Sequence, residues 1–326
     1  MVSSVPSVDV PPQPWTGRFD GDGTEHRRWW QAVSPYVPEA DVPGNSGPAP
    51  AVLVGFASDE GVRRNKGRTG AAAAPAAIRA ALGPLAFHLD RAVSDAGDVV
   101  VADGALEAAQ ARAGQTITSM LDAGRLTVVL GGGHETAYAS YLGVAGSEAL
   151  RGGRRLGILN LDAHFDLRAE PLPSSGTPFL QMAHAEAAAG REFRYAVVGI
   201  SEPNNTRALF ATAEQLGVQY VADEDCTAAR VEDFVAQFLA GVDVLYLTID
   251  LDVLPASVAP GVSAPAAYGV PLPVISAVCR QVAESGKLLH LDVAELNPAF
   301  DLDGRTAKVA ARLVNTLLRE ATLPGS

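Results

Sequence analysis

The sequence predicts an α/β fold: a parallel sheet with helices on both faces. Apolar runs rich in Val, Ile and Leu recur without polar alternation, as strands buried on both faces do. Ala-rich segments with helical spacing lie between most of them, the order of parallel-sheet proteins. Neither a linker nor an internal repeat follows residue 50, so 51–326 reads as a single domain.

Residues 1–50 are rich in Pro, Ser and Gly and read as a partly ordered extension, because Pro prevents long regular structure. Trp15, Trp29 and Trp30 suggest that part of this arm packs onto the body. Strands are expected at 51–56, 97–102, 126–131, 155–161, 194–200, 243–249 and 287–293, with a weaker one at 218–222. Helices are expected at 74–82, 104–123, 206–216, 230–240 and 271–284, and a last one at 305–320 closes the chain. The alanine run at 71–74 is helix-compatible.

Composition narrows the function. A net charge of −12 argues against non-specific nucleic-acid binding, which needs a basic face, but a local Arg cluster still admits a small anionic substrate. Cys226 and Cys279 lie far apart without a C-x-x-C spacing, so neither a disulfide framework nor a zinc–thiolate site is expected. No apolar run reaches membrane-spanning length, and Met1 to Val10 shows no secretory pattern. A cytoplasmic location is the expectation, with no membrane partner.

Three acid-and-histidine clusters carry the chemistry. His134 follows the run 126–131 after three glycines; Asp162, His164 and Asp166 follow 155–161; Asp250 and Asp252 follow 243–249. In a parallel sheet, ligands bind beyond the carboxyl ends of the strands, and all three clusters fall there. In extended backbone, alternate residues share a face roughly 6.6 Å apart. Two His and four Asp side chains suit a pair of divalent metals such as Mn²⁺, which can hold and activate water. A nucleotide cradle is not supported, because Thr136 occupies the last glycine position of G-x-G-x-x-G; a zincin is not either, because Tyr138 stands where its second His belongs.

Together, Gly132-Gly133-His134-Glu135, Asp162-Ala163-His164-Phe165-Asp166 and Thr248-Ile249-Asp250-Leu251-Asp252 resemble the three signatures of the ureohydrolase superfamily, which includes arginase, agmatinase and formimidoylglutamase. The resemblance runs from about residue 50 to the C-terminus. It implies an arginase-like three-layer α/β/α sandwich with a largely parallel eight-stranded sheet, and two Mn²⁺ ions per subunit. By motif position, His134 and Asp166 would bind one ion, His164 and Asp252 the other, and Asp162 and Asp250 would bridge them. The implied reaction is attack of a metal-bridging hydroxide on an amidine or guanidine carbon, with Asp166 orienting it and passing the proton on. Glu295 matches the family position whose carboxylate holds the substrate's amidinium. Family members are commonly trimers or hexamers, so a homo-oligomer is expected.

The substrate signal lies in the segment from Glu60 to Ala71, where Arg63, Arg64, Lys66 and Arg68 gather in an otherwise acidic protein. Guanidinium groups match carboxylates with paired hydrogen bonds. This segment, Asp166-Leu167-Arg168, the stretch from Ser174 to Phe179, and Asn205-Thr206 resemble formimidoylglutamases. The implied reaction is hydrolysis of N-formimidoyl-L-glutamate, a step of histidine degradation, to L-glutamate and formamide. Arg64, Arg68 and Arg168 are the candidates for its carboxylates, with Asn205 and Thr206 as hydrogen-bonding partners. The loop at 174–179 lacks the shuttle His of arginases, which argues against arginase itself. The alternatives are a guanidino hydrolase, of agmatinase or guanidino-acid type, and a non-catalytic metal-binding homologue. His290 reads as a core residue in a strand, and His184 as an ordinary helix residue.

Overall fold

A computed structural model describes residues 8–38 and 48–321. Among these residues nine strands form one sheet: β1 (Ser34–Pro35), β2 (Ala51–Ala57), β3 (Val93–Val100), β4 (Leu126–Leu130), β5 (Leu156–Leu161), β6 (Tyr195–Ile200), β7 (Gln219–Ala222), β8 (Val244–Asp250) and β9 (Leu288–Ala294). Their order is β1-β3-β2-β4-β9-β8-β5-β6-β7, and every neighbouring pair is parallel. The ninth strand, beyond the eight expected, is β1, two residues of the N-terminal extension paired with the start of β3.

Among the described residues eleven α-helices accompany the strands: α1 (Trp29–Ala32), α2 (Glu60–Arg64), α3 (Ala74–Leu82), α4 (Leu106–Asp122), α5 (Thr136–Ala145), α6 (Glu148–Arg151), α7 (Pro178–Ala188), α8 (Arg207–Gln215), α9 (Ala228–Ala240), α10 (Leu272–Glu284) and α11 (Arg305–Glu320). Two apolar clusters sandwich the sheet. Leu53, Leu126, Val128, Leu245 and Leu247 pack with α3, α9, α10 and α11. Their strand neighbours Val52, Val54, Val129, Val244 and Tyr246 pack with α4, α5, α7 and α8. Successive strand residues point to opposite faces, and both faces are covered, so the strands lack polar alternation. On α11, Ala307, Ala310, Ala311, Val314, Leu317 and Leu318 fall at helical spacing and are buried. Each buried Leu or Val there contributes roughly 1.5–3 kcal/mol.

One expectation shifts for a local reason. The strand expected at 97–102 begins four residues earlier, because Asp95 is polar in sequence but paired in the fold. Its carboxylate accepts from Arg79 Nε at 2.8 Å and from Trp15 Nε1 at 2.8 Å, and Arg79 also binds Asp98 at 2.6 Å. The basic segment from Glu60 opens with the short helix α2.

In the N-terminal extension, Trp29 is fully buried between Trp15 and Phe87, with ring centroids 6.3 and 5.6 Å away, and its Nε1 donates to Asn315 Oδ1 at 3.0 Å. Residues 1–7 and 39–47 of that extension lie outside the described residues. Cys226 and Cys279 are free and buried. Among the described residues no helix is long and apolar enough to cross a membrane.

What matters for chemistry is the middle of the sheet. β4, β9, β8 and β5 stand side by side, spaced by roughly 4.8 Å per strand, and the segments leaving their carboxyl ends carry His134, Glu295, the Asp250 pair and the Asp162 triplet.

Candidate metal centre

His134 reaches the sheet edge through Gly131-Gly132-Gly133. A side chain at Gly132 would place Cβ 1.8 Å from the Ser58 carbonyl oxygen, so only glycine lets the two backbones meet. Glu295 Oε1 accepts from the His134 backbone N–H at 2.8 Å, tying the β9 terminus to the β4 terminus. Asp166 (φ 48°) and Glu295 (φ 69°) both hold left-handed backbone, uncommon for residues other than glycine. Strain of this kind concentrates at functional sites.

Six side chains converge in two groups. Ligand atoms of His134, Asp162, Asp166 and Asp250 lie within 4.8 Å of one another, and so do those of Asp162, His164 and Asp252. Asp162 belongs to both; Asp250 converges with the first group. His134 Nδ1 is 3.1 Å from Asp162, 2.9 Å from Asp166 and 3.1 Å from Asp250. His164 Nδ1 is 3.1 Å from Asp252 and 3.4 Å from Asp162. Short local bonds aim the carboxylates. Asp162 Oδ1 accepts from the His164 N–H at 2.7 Å, Asp250 Oδ1 from the Asp252 N–H at 2.8 Å, and Asp162 Oδ2 from Asn160 Nδ2 at 2.9 Å.

The electrostatics are those of a cation site. Burial alone would lower the pKa of both histidines, yet the surrounding carboxylates outweigh it and hold both well above the usual value. Asp162, also buried, is nonetheless held below the carboxylate range by His134 and His164. Burial and mutual repulsion push Asp166, Asp250 and Asp252 up. Four carboxylates crowded at this depth need compensating charge. An oxygen-rich set with one imidazole in each group fits two hard or borderline divalent cations, and no thiol is present to favour softer ones.

Above the two groups lies a cavity of about 210 Å³, lined by ligand-group residues, Glu295, Arg168, Asn65, Ser175, Asn205 and Ser263 among others. Burial, with Glu135 and Asp252 nearby, pushes the Glu295 carboxyl up to about 8. Arg168 reaches the cavity from the segment after Asp166, with its stem against Gly176, where a Cβ would meet Arg168 Cδ at 2.7 Å.

The other proposed substrate residues need correction. Arg64 does not line the cavity: its guanidinium is held by Glu60 at 2.8 Å, Glu107 at 2.6 Å and the carbonyls of Pro173 and Gly104. Arg68 does not either: it donates to the Ser263 and Val262 carbonyls and sits 4.3 Å above the Phe300 ring. A local excess of cations in sequence became internal pairing, because each guanidinium found acceptors in its own loops. Thr206 is the exposed N-cap residue of α8, outside the cavity. Asn205 lines it, but its amide is occupied by the Phe165 N–H and by the Ala163 and Ser201 carbonyls, so it shapes the wall. His184 lies exposed on α7, and His290 is fully buried in β9.

Sequence reasoning missed Asn65 and Ser263. Asn65 stands inside the cationic segment and donates to Ser175 Oγ at 3.1 Å, but it carries no charge that marks it among the arginines. Ser263 arrives on the long segment after β8, where no local pattern distinguishes it.

A family model described as "Arginase family" matches residues 49–319. Formimidoylglutamase of Nocardia farcinica (strain IFM 10152) is 59% identical over 304 residues, covering 93% of this chain and 95% of that protein. Formimidoylglutamase of Rhodococcus jostii (strain RHA1) is 55% identical over 312 residues, covering 95% and 96%. Among solved structures, Trypanosoma cruzi formiminoglutamase with Mn²⁺ matches with a TM-score of 0.77 at 25% identity, covering 90% of this chain and 98% of that one. With the ligand groups on the central strand ends and a match across most of its length, the chain belongs to the Arginase family.

Proposed function

We propose that this protein is a formimidoylglutamase, hydrolysing N-formimidoyl-L-glutamate to L-glutamate and formamide with a pair of Mn²⁺ ions. The observation that carries it is a single cavity whose floor is two ligand groups sharing Asp162 and whose wall carries Arg168. The identity to formimidoylglutamases, over nearly the full length of both chains, supports this substrate over a guanidino compound. The solved formiminoglutamase with Mn²⁺ supports the metal.

In this reading His134, Asp162, Asp166 and Asp250 would hold one ion, and Asp162, His164 and Asp252 the other. A bound pair of ions would supply acidification of water, making hydroxide available near neutral pH. The chain's residues do the rest. Arg168 binds a substrate carboxylate, and its planar fork orients the glutamyl end. Glu295 lines the cavity close to the ligand groups and faces the cationic formimino group, aligning its carbon with the attacking oxygen. Asp166 takes the remaining proton of the attacking oxygen and passes it to the glutamate nitrogen as the carbon–nitrogen bond breaks. The new carbonyl leaves with formamide.

The same proposal takes residues 51–326 as one catalytic domain behind the N-terminal extension. It takes the enzyme as cytoplasmic and homo-oligomeric, acting on a small anion and not on nucleic acid or membranes. The test is turnover of N-formimidoyl-L-glutamate by Mn²⁺-loaded protein, with formamide, ammonia and urea measured separately. Stoichiometric formamide and glutamate are expected. Ammonia with formylglutamate, or urea from a guanidino acid at a higher kcat/KM, would overturn the assignment.

A further inference from the structure

His134 presents its two ring nitrogens to different surroundings. Nδ1 faces the three carboxylates of its ligand group. Nε2 turns away and lies 3.0 Å from Thr248 Oγ1. That hydroxyl is 2.6 Å from Asp292 Oδ1, and Asp292 Oδ2 accepts from the Tyr246 hydroxyl at 2.5 Å. Thr248 and Asp292 are direct partners across the β8–β9 ladder, and Tyr246 lies on the same face two residues earlier. All three side chains are fully buried, so their polar atoms need protein partners; this chain of bonds supplies them, and the Tyr246 hydroxyl also lies 3.2 Å from the Ala137 carbonyl oxygen.

Counting protons fixes the direction. A threonine hydroxyl has one hydrogen to give, and an aspartate carboxylate only accepts. The hydrogen of Thr248 therefore goes to Asp292, which leaves the Thr248 lone pairs to accept from His134 Nε2–H. A neutral His134 then carries its proton on Nε2 and its lone pair on Nδ1, the nitrogen that faces the carboxylates. This is the form a metal ion requires.

We propose that Thr248, backed by Asp292, is a positioning residue that sets the tautomer and ring orientation of His134, and through it the affinity of the ion held by the His134 group alone. The inference rests on the two-ion reading above. The second group has no His134 atom and does not depend on this relay.

The experiment is titration of Mn²⁺ into metal-free protein, following free Mn²⁺ by electron paramagnetic resonance, with thermal unfolding of each metal-free variant in parallel. Thr248→Val keeps the shape and removes the hydroxyl; Thr248→Ser restores it. Thr248→Cys, whose thiol accepts weakly, gives an intermediate and serves if the Val variant does not fold. Wild type and the Ser variant are expected to bind two ions with matching affinities. The Val variant should keep one ion near wild-type affinity and weaken the other roughly 10–100-fold, with Cys between. Two unaltered affinities in the Val or Cys variant would overturn the proposal. So would equal weakening of both ions together with a lower metal-free unfolding midpoint, the mark of a merely structural residue. A wild type that binds no pair of Mn²⁺ ions would refute the metal reading itself, a result distinguishable from either.

Discussion

Arg168 offers the sharpest test of the substrate assignment. It is the one arginine of the three candidates whose side chain lines the cavity; Arg64 and Arg68 are held by other partners. Replacing it with Met keeps the stem against Gly176 and removes the guanidinium. A hydrogen bond to a charged group is worth about 1.5–3 kcal/mol when desolvated, and exposed ion pairs about 0–1 kcal/mol. Arg168 is exposed at the cavity mouth, which places the expected loss between these, at about 1–2 kcal/mol. At about 1.4 kcal/mol per factor of ten, kcat/KM should fall roughly 5- to 30-fold. The carboxylate is remote from the reacting carbon, so the contact is equally strong in the ground and transition states, and the loss should appear in KM with kcat nearly unchanged. Arg168→Lys keeps the charge without the fork and should fall between. Steady-state kinetics on N-formimidoyl-L-glutamate is the assay. A KM for the Met variant within twofold of wild type would remove Arg168 from the binding site.

Three further outcomes follow from the same geometry. Asp250→Asn should lose bound Mn²⁺ and turnover together, by more than the roughly 10–100-fold typical of residues one step behind the ligands; full metal content with normal kcat would sink its role. Trp29→Ala should cost roughly 3–5 kcal/mol in urea unfolding, since it removes a fully buried side chain wedged against Phe87 and unpairs Asn315, and a loss below about 1 kcal/mol would show that the arm is not anchored there. His290 is fully buried, and burial holds its pKa down to about 3, whereas the unfolded chain's histidine titrates near 6.5. The unfolded state therefore binds a proton that the folded state refuses, so this group's contribution declines as pH falls from about 6.5 toward 3. Urea midpoints measured from pH 7 to 4 should fall less steeply for His290→Gln than for wild type, and identical slopes would contradict the assignment.

The sequence by itself determined the alternation of strands and helices and the chemistry of the ligands. Both are local: a strand buried on two faces must be apolar throughout, and ligand side chains at alternate positions share a face wherever the strand ends up. That is why the runs at 126–131, 155–161 and 243–249 and the clusters after them could be read directly. Strand order could not be, because hydrogen bonding between β4, β9, β8 and β5 joins segments far apart in the chain. Only that order makes three clusters one site and brings Glu295 beside His134. The arginines show the converse. Arg64, Arg68 and Arg168 carry the same charge in sequence, but whether a guanidinium meets a substrate or a neighbour depends on which acceptors folding places within 3 Å of it. Glu107, Ser263 and Val262 hold the first two. The tertiary structure leaves Arg168 facing the cavity instead.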